Sequence, residues 1–323
     1  MSPDAVLVTE LAPTLERLVD RHLGTTKEWF PHELVPWERA SEATAAREWV
    51  AEDHPLPDAV GSALFVNLLT EDNLPYYFAT IDRVFGADGI WGVWNRRWTA
   101  EEGRHSIAIR DYLTVTGLVD PVALERARMH QVSHGQVPEP ETALDALVYV
   151  ALQELATRIA HRGTGKLLDD KAGYDVMARV AADENLHHLL YRDLVTAAIE
   201  IDPSAAVEAI ERQVTAFEMP GTGIVDFEAH ALAIAKAGIY DLKVHHDQIL
   251  VPVVLGHWGI EGLEGLTPEA EAARARMLKR IERIGRAGRR LADRWAEDGA
   301  RAADETPPGP TRDEVAAPEL ASV

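Results

Sequence analysis

The sequence predicts an all-α fold organised around a four-helix bundle, and three observations predict it. Ala, Leu, Glu and Arg are plentiful, whereas the alternation of apolar and polar residues that is typical of strands is scarce. The motif Glu-x-x-His occurs twice, over residues Glu102–His105 and Glu184–His187. An isolated glutamate precedes each motif at nearly the same interval, Glu71 by 31 residues and Glu154 by 30 residues.

Apolar residues at helical spacing, interrupted by clusters of Pro, Gly and Asp, predict the individual helices. We expect them over residues 4–22, 58–85, 92–115, 121–130, 142–161, 171–199, 204–217, 225–243, 246–256 and 268–296. The stretch that follows, residues 297–323, is rich in Pro and poor in large apolar residues, so we expect a disordered tail. Residues 1–296 are expected to form a single domain.

One predicted helix carries an internal proline close to a candidate ligand. Pro75 lies four residues after Glu71, so it cannot donate a backbone hydrogen bond to the carbonyl of that glutamate, and its ring crowds this carbonyl. We therefore expect the helix to be kinked or bulged at Glu71, which would help to aim the carboxylate.

The last predicted helix is basic and amphipathic. Nine basic and two acidic residues lie between Arg274 and Arg294, and apolar residues such as Met277 and Ile281 recur at helical spacing. We interpret this pattern as a packed apolar stripe beneath a solvated basic face, with a docking surface as the alternative.

Composition excludes several classes of protein. The chain has 323 residues, of which 46% are hydrophobic, so it can bury a large core. No stretch approaches the roughly 20 uncharged apolar residues of a membrane span, and no signal peptide is visible, so we expect a cytoplasmic protein. The net charge of −21 disfavours nucleic-acid binding, because phosphates would be repelled.

The absence of cysteine limits the redox chemistry. The sequence contains no Cys, which excludes disulfides, Cys-ligated zinc and a built-in iron–sulfur cluster. Any metal must therefore be held by His and carboxylate side chains, and any electrons must come from a separate protein.

The repeated pattern predicts a metal centre. A single Glu-x-x-His match is weak, but four helices that supply Glu, Glu-x-x-His, Glu and Glu-x-x-His form the ligand set of ferritin-like di-iron and di-manganese bundles. Four carboxylates balance two divalent ions, whereas four unpaired buried carboxylates would be very costly. The alternative for any one glutamate is an exposed position or an arginine partner. The candidate metal ligands are Glu71, Glu102, His105, Glu154, Glu184 and His187.

These residues also carry a resemblance to a known family. Residues Trp98–His105 resemble the motif W-T-A-E-E-N-R-H of the soluble acyl carrier protein (ACP)-dependent acyl-ACP desaturases, with Gly103 in place of Asn. Residues Thr70–Pro75 are similar to that family's T-E-E-A-L-P. The likeness extends from about residue 29 to 258 and is closest to the actinobacterial branch.

The resemblance implies a role for each residue. Iron 1 would be held by Glu71 and His105, and iron 2 by Glu154 and His187, with Glu102 and Glu184 bridging. Thr157 would lie beside the oxygen-binding face. Asp183 and Trp29 match residues proposed to orient a ligand histidine and relay electrons, although for Trp29, as for His161, ordinary core packing is the interpretation we favour.

The resemblance also implies the reaction and its partners. A double bond would be introduced into a saturated acyl chain held on ACP, with O2 and two electrons from a ferredoxin-type donor, by a homodimer that contains two Fe per chain. The acidity of ACP requires a local basic patch, for which residues 274–294 are one candidate. The alternatives are another ferritin-like di-iron oxygenase or amine oxidase, and an iron-storage or non-catalytic iron-binding paralogue.

Overall fold

The computed structural model describes residues 2–40, 49–50, 58–219, 221 and 223–305, and these ranges are helical without any strand. The all-α prediction is therefore confirmed. The α-helices are α1 (Pro3–Thr25), α2 (Pro31–Leu34), α3 (Asp58–Glu71), α4 (Leu74–Phe85), α5 (Gly89–Thr116), α6 (Pro121–His134), α7 (Ala143–Leu167), α8 (Lys171–Ile201), α9 (Pro203–Ala216), α10 (Phe227–Lys236), α11 (Leu242–His245) and α12 (Pro268–Glu305).

Helices α3, α5, α7 and α8 form the central bundle. Helix α3 packs against α5 and α7, and α8 packs against the same two helices, so the four enclose one interior. Thr142 caps α7 by accepting a hydrogen bond from the backbone of Asp145, and Asp170 caps α8 in the same way at Ala172 and Gly173. Both long helices of the second half therefore begin at side chains suited to that position.

The remaining helices cover the bundle. Helix α1 packs on α8, α5 and α7, while α9 lies between the bundle and α12. The apolar stripe of α12 is buried at Met277 and Ile281, and arginines on its outer face pair with glutamates, as Arg276 does with Glu211. The predicted packed stripe is confirmed. No helix in the described ranges is long and apolar enough to cross a membrane.

The helix predicted over residues 58–85 is broken beside Glu71. Helix α3 ends at this residue, Asp72 and Asn73 form a turn, and α4 begins at Leu74 with Pro75 in its first turn. Proline is well tolerated there because the first turn of a helix has no internal partner for that amide. The expected interruption at Glu71 is confirmed, and it is a complete break rather than a bulge.

Two predicted boundaries were wrong because of glycine. Helix α7 continues to Leu167 through Gly163 and Gly165, where a glycine allows close packing: a side chain at Gly165 would lie 3.0 Å from the Cβ of Met177. Conversely, the helix predicted over 225–243 ends at Lys236, because Gly238 adopts a φ of 69° that terminates it.

Two further boundaries differ near the C-terminus. The helix predicted over 246–256 is a π-helix, His246–His257, in which the amide of Trp258 donates to the carbonyl of Val253 over 2.8 Å. Helix α12 continues to Glu305 rather than 296, so residues 297–305 are helical. The rest of the expected disordered tail, residues 306–323, lies outside the described residues.

Two helical glycines should respond oppositely to alanine. A Cβ at Gly288 would lie 2.5 Å from the backbone nitrogen of Lys243, whereas a Cβ at Gly103 would meet no heavy atom within 4 Å. We expect Gly288→Ala to destabilise the fold by about 1–3 kcal/mol through overpacking. Gly103→Ala should stabilise it by about 0.5–1 kcal/mol. Urea unfolding of the two variants measures both effects, and equal midpoints would contradict the packing argument.

Candidate metal centre

The six predicted ligand residues lie together inside the bundle. Glu71 is the last residue of α3, Glu154 lies in the middle of α7, and the two Glu-x-x-His motifs lie in α5 and α8. Because residues i and i+3 share a helix face, each motif directs both side chains inward. None of the six residues is more than 6% exposed.

The six side chains form two overlapping groups. Glu71 and His105 share one group with Glu102 and Glu184, and Glu154 and His187 share the other with the same two glutamates. Within each group, one potential ligand atom per residue lies within 4.8 Å of all the others. Glu102 and Glu184 therefore lie between two neighbouring positions for a cation, as a bridging pair would.

The polar atoms of these groups fit a divalent metal. The Nδ1 atoms of His105 and His187 are buried without a hydrogen-bond partner, as are Oε1 of Glu102 and Oε2 of Glu154. Nδ1 of His187 lies 2.8 Å from the Oε1 atom of Glu102. Buried polar atoms without partners are costly, and imidazole and carboxylate donors together suit metals such as iron or manganese.

Burial and mutual repulsion perturb the carboxylates. Burial, followed by the charges of Glu184 and Glu102, raises the pKa of Glu154 well above its ordinary value. Burial also raises the pKa of Glu102, and the neighbouring Glu184 adds to this shift. At these two residues burial and the neighbouring carboxylates disfavour the negative charge, and a cation between the carboxylates would remove this cost.

Asp183 and Trp29 lie behind His105. The indole Nε1 of Trp29 donates to Oδ2 of Asp183 over 2.7 Å, and this oxygen lies 3.5 Å from Nε2 of His105. Arg104 donates to the same oxygen over 3.1 Å. Burial opposes ionisation of Asp183, but the adjacent imidazole of His105 outweighs it, and the pKa falls to about 2.

An equivalent arrangement behind His187 was missed by the sequence analysis. Oε2 of Glu101 lies 2.9 Å from Nε2 of His187 and 2.9 Å from Nε2 of His22, a residue of α1. Burial opposes protonation of His187, but the adjacent carboxylates of Glu101 and Glu102 raise its pKa well above the ordinary value. Glu101 therefore contacts His187 as Asp183 contacts His105. His22 lies behind Glu101 as Trp29 lies behind Asp183.

The sequence contains a repeated pattern that could have predicted the similar surroundings of His105 and His187. Each motif is preceded by an acidic residue and, four residues earlier, by an arginine, so that the pattern Arg-x-x-x-acid-Glu-x-x-His occurs from Arg97 and again from Arg179. Each arginine forms an ion pair with the acid one turn later, Arg97 with Glu101 and Arg179 with Asp183. The acidic residue of one motif contacts the histidine of the other motif.

Three further side chains contact the cluster. The hydroxyl of Thr157 donates to Oε2 of Glu184 over 3.0 Å, and the indole of Trp98 donates to Oε1 of Glu154 over 3.0 Å. His161, expected only as a core residue, lies with Nε2 2.9 Å from Oε1 of Glu71. Burial opposes protonation of His161, but its hydrogen bonds to glutamates prevail and raise its pKa to about 9.

An apolar cavity adjoins the cluster. It has a volume of about 60 Å³ and is lined by apolar side chains such as Val66, Phe227 and Ile234. Thr70 and Thr157 line both this cavity and a small recess of about 10 Å³ that contains Glu71, Glu102 and Glu184. An apolar molecule in the cavity would therefore lie directly beside the carboxylates.

The fold and the cluster define a class. A four-helix bundle whose interior presents Glu, Glu-x-x-His, Glu and Glu-x-x-His has the fold and the ligand set of the ferritin-like carboxylate proteins.

Comparison with known proteins identifies the family. A family model described as fatty acid desaturase matches residues 4–306, so the chain belongs to that family. It is 42% identical over 267 residues to Mycobacterium tuberculosis DesA1, which is named as an acyl-ACP desaturase, covering 80% of this chain and 79% of DesA1. A chloroplastic stearoyl-ACP 9-desaturase of Arabidopsis thaliana is 31% identical over 255 residues, covering 72% of this chain and 63% of that protein.

A solved structure agrees with this assignment. The X-ray structure of M. tuberculosis DesA2, titled as an acyl-ACP desaturase, matches with a TM-score of 0.65 and 26% sequence identity. The match covers 83% of this chain and 99% of DesA2.

Metal binding should stabilise the fold through the shared carboxylates. At an Fe2+ concentration 100 times the dissociation constant, we expect about 2.7 kcal/mol of added stability for each ion bound. Glu102→Gln, which keeps the side-chain shape but removes a charge from both groups, should abolish most of this gain. Anaerobic thermal unfolding with and without Fe2+ measures it. Glu282→Gln on the exposed face of α12 is the control and should respond like the wild type. An undiminished shift in Glu102→Gln would contradict the shared position.

Glu101 and Asp183 should contribute similarly to metal affinity. Each carboxylate contacts Nε2 of a histidine and leaves Nδ1 directed at the cluster. Loss of such a partner typically lowers metal affinity about 10–100-fold. We therefore expect Glu101→Gln and Asp183→Asn to weaken Fe2+ binding in competition with a chelator. Glu101→Asp should restore part of it, and wild-type affinity in Glu101→Gln would remove its positioning role.

Proposed function

We propose that the protein is an acyl-ACP desaturase, which introduces a double bond into a saturated acyl chain held on ACP. Its own family is fatty acid desaturase, and its relatives named above are acyl-ACP desaturases. The observation that carries the proposal is the buried cluster of four carboxylates and two histidines beside an apolar cavity.

Two iron ions are the proposed cofactor. Glu71 and His105 would hold one ion, Glu154 and His187 the other, and Glu102 and Glu184 would bridge them. The overlapping membership of the two groups supports this division. When bound, the iron pair supplies the oxidation by O2, which a protein side chain cannot perform.

The chain's own residues would orient the substrate and exclude water. The apolar lining of the cavity suits a segment of an alkyl chain, and Thr70 and Thr157 line both the cavity and the recess beside the carboxylates. Holding a flexible chain at one position fixes which carbons react, and the closed surroundings keep bulk water away. Thr157 holds a hydroxyl between the cavity and the recess, where it donates to Glu184.

The overall reaction needs an electron donor. Removal of two hydrogens from the acyl chain, with reduction of O2 to two waters, requires two further electrons and two protons. A ferredoxin-type protein would supply the electrons, because the chain contains no Cys for an iron–sulfur cluster of its own. Asp183 and Trp29 connect His105 to the outer residues Arg104 and Arg179, which supports a role in this transfer. A homodimer in the cytoplasm completes the proposal.

Two alternatives make different products. An oxygenase with the same metal pair would hydroxylate its substrate, and a storage or binding paralogue would leave the acyl chain unchanged. The cavity beside the carboxylates favours a reaction on an apolar substrate over storage.

Incubation with acyl-ACP thioesters tests the proposal. Iron-loaded protein with ferredoxin, a reductase and O2 should yield a product that lacks two hydrogens by mass spectrometry. Glu154→Ala and His187→Ala should lose iron and activity together, while His134→Ala, at an exposed histidine, should retain both. Full activity in Glu154→Ala or His187→Ala would remove that residue from the ligand set. A hydroxylated product would favour the oxygenase.

A further inference from the structure

A basic cleft lies on the outer face of α7 and α8. It has a volume of about 660 Å³, and residues 237–239 together with Gln248 form another part of its wall. Arg158, Arg162 and Lys166 of α7 line it, and their spacing of four residues places them on one face in successive turns. We call this feature, defined by those three cations, the basic cleft.

The charges of the basic cleft are not balanced locally. No described acidic residue lines it, and none of its three cations forms an ion pair within the described part of the chain. Arginines elsewhere behave differently: Arg128 pairs with Asp72, and Arg212 with Asp145. In a chain with a net charge of −21, an acid-free group of three cations favours an anionic ligand.

The two arginines also affect one another. Burial, together with the charge of Arg162, lowers the pKa of Arg158. The guanidinium of Arg162 lies 5.3 Å from the ring centroid of Tyr174, a contact that leaves its charge without an anionic partner. A bound anion would relieve the repulsion between the arginines and use their planar donors in pairs.

The position of the basic cleft connects it to the apolar cavity. Ile239 lines both the basic cleft and the apolar cavity. Gly163 of α7 lies so close to Ile239 that a Cβ added to the glycine would be 3.1 Å from the isoleucine side chain. On the far side of Ile239, the cavity reaches Thr157 and the metal cluster. A ligand with an anionic part and an apolar part could therefore place the first in the cleft and the second in the cavity.

We propose that the basic cleft binds the phosphodiester of the phosphopantetheine arm by which ACP holds its acyl chain. This inference rests on the proposed function. The acyl chain must enter the apolar cavity, whereas the phosphate of the arm must remain in a polar environment. A concave site with arginines suits a phosphate on a slender arm better than the convex surface of a folded protein.

Binding measurements test the site without catalysis. Calorimetric titration of the iron-loaded protein with pantetheine 4′-phosphate and with pantetheine isolates the contribution of the phosphate. We expect the phosphorylated form to bind at least about tenfold more tightly, the effect of one lost charge-assisted contact. Arg158→Ala combined with Arg162→Ala should remove this difference. Equal affinity of the two forms for the wild-type protein would overturn the proposal.

Comparison of two carrier forms separates the arm from the protein surface. ACP with its arm and ACP without it share the same acidic surface, so only the former should lose affinity in the Arg158→Ala/Arg162→Ala variant. A loss with both forms would show that the basic cleft contacts the surface of the carrier, which contradicts the proposal. Arg283→Ala, on the exposed face of α12, is the matched control and should leave the phosphate dependence unchanged. If it weakens phosphate binding as much as the double variant, the site belongs to α12.

Steady-state kinetics of desaturation provide a second test of the basic cleft. The double variant should raise KM for acyl-ACP at least about tenfold with little change in kcat, because the arm is bound far from the reacting carbons. Phosphate-dependent binding in a protein that proves inactive would still support the basic cleft while rejecting the desaturase. Normal desaturation with phosphate-independent binding would reject the basic cleft alone.

Discussion

The structure depends on four carboxylates that share one buried interior. Glu71, Glu102, Glu154 and Glu184 are withdrawn from water, and the burial and mutual repulsion that raise the pKa of Glu154 show how unfavourable their combined charge is. Such a group is tolerable only beside cations. This requirement explains the hydrogen-bond donors around the four carboxylates, because a buried carboxylate without a metal must share a proton or accept a hydrogen bond.

The symmetry of the bundle explains how these groups are held. The pattern Arg-x-x-x-acid-Glu-x-x-His occurs in both α5 and α8, and each acidic residue contacts the histidine of the other helix. The two helices are therefore tied together on both sides of the cluster. The outer partners differ, an indole from Trp29 on one side and an imidazole from His22 on the other, so His105 and His187 have different chemical surroundings.

The sequence predicted what depends on spacing along one helix and missed what depends on packing between helices. Glu-x-x-His and the repeated interval of about 30 residues located the cluster, because helical periodicity turns such spacing into geometry. His22 carries no motif, and its contact with Glu101 across 79 positions exists only because α1 packs on the bundle. The helix that contains Gly165 was predicted to end at residue 161, although in α7 this glycine serves the close approach of α8.

The break after Glu71 shows why elements outside the bundle belong to the site. A ligand in the last turn of a helix would be free to move, because helix ends fray. Here the next residue, Asp72, accepts hydrogen bonds from Ser106 of α5 and Arg128 of α6, which fixes the backbone directly beside the ligand. His161 of α7 holds the carboxylate of Glu71 itself. Proline ends the helix, and these contacts from three helices replace the rigidity that an uninterrupted helix would have provided.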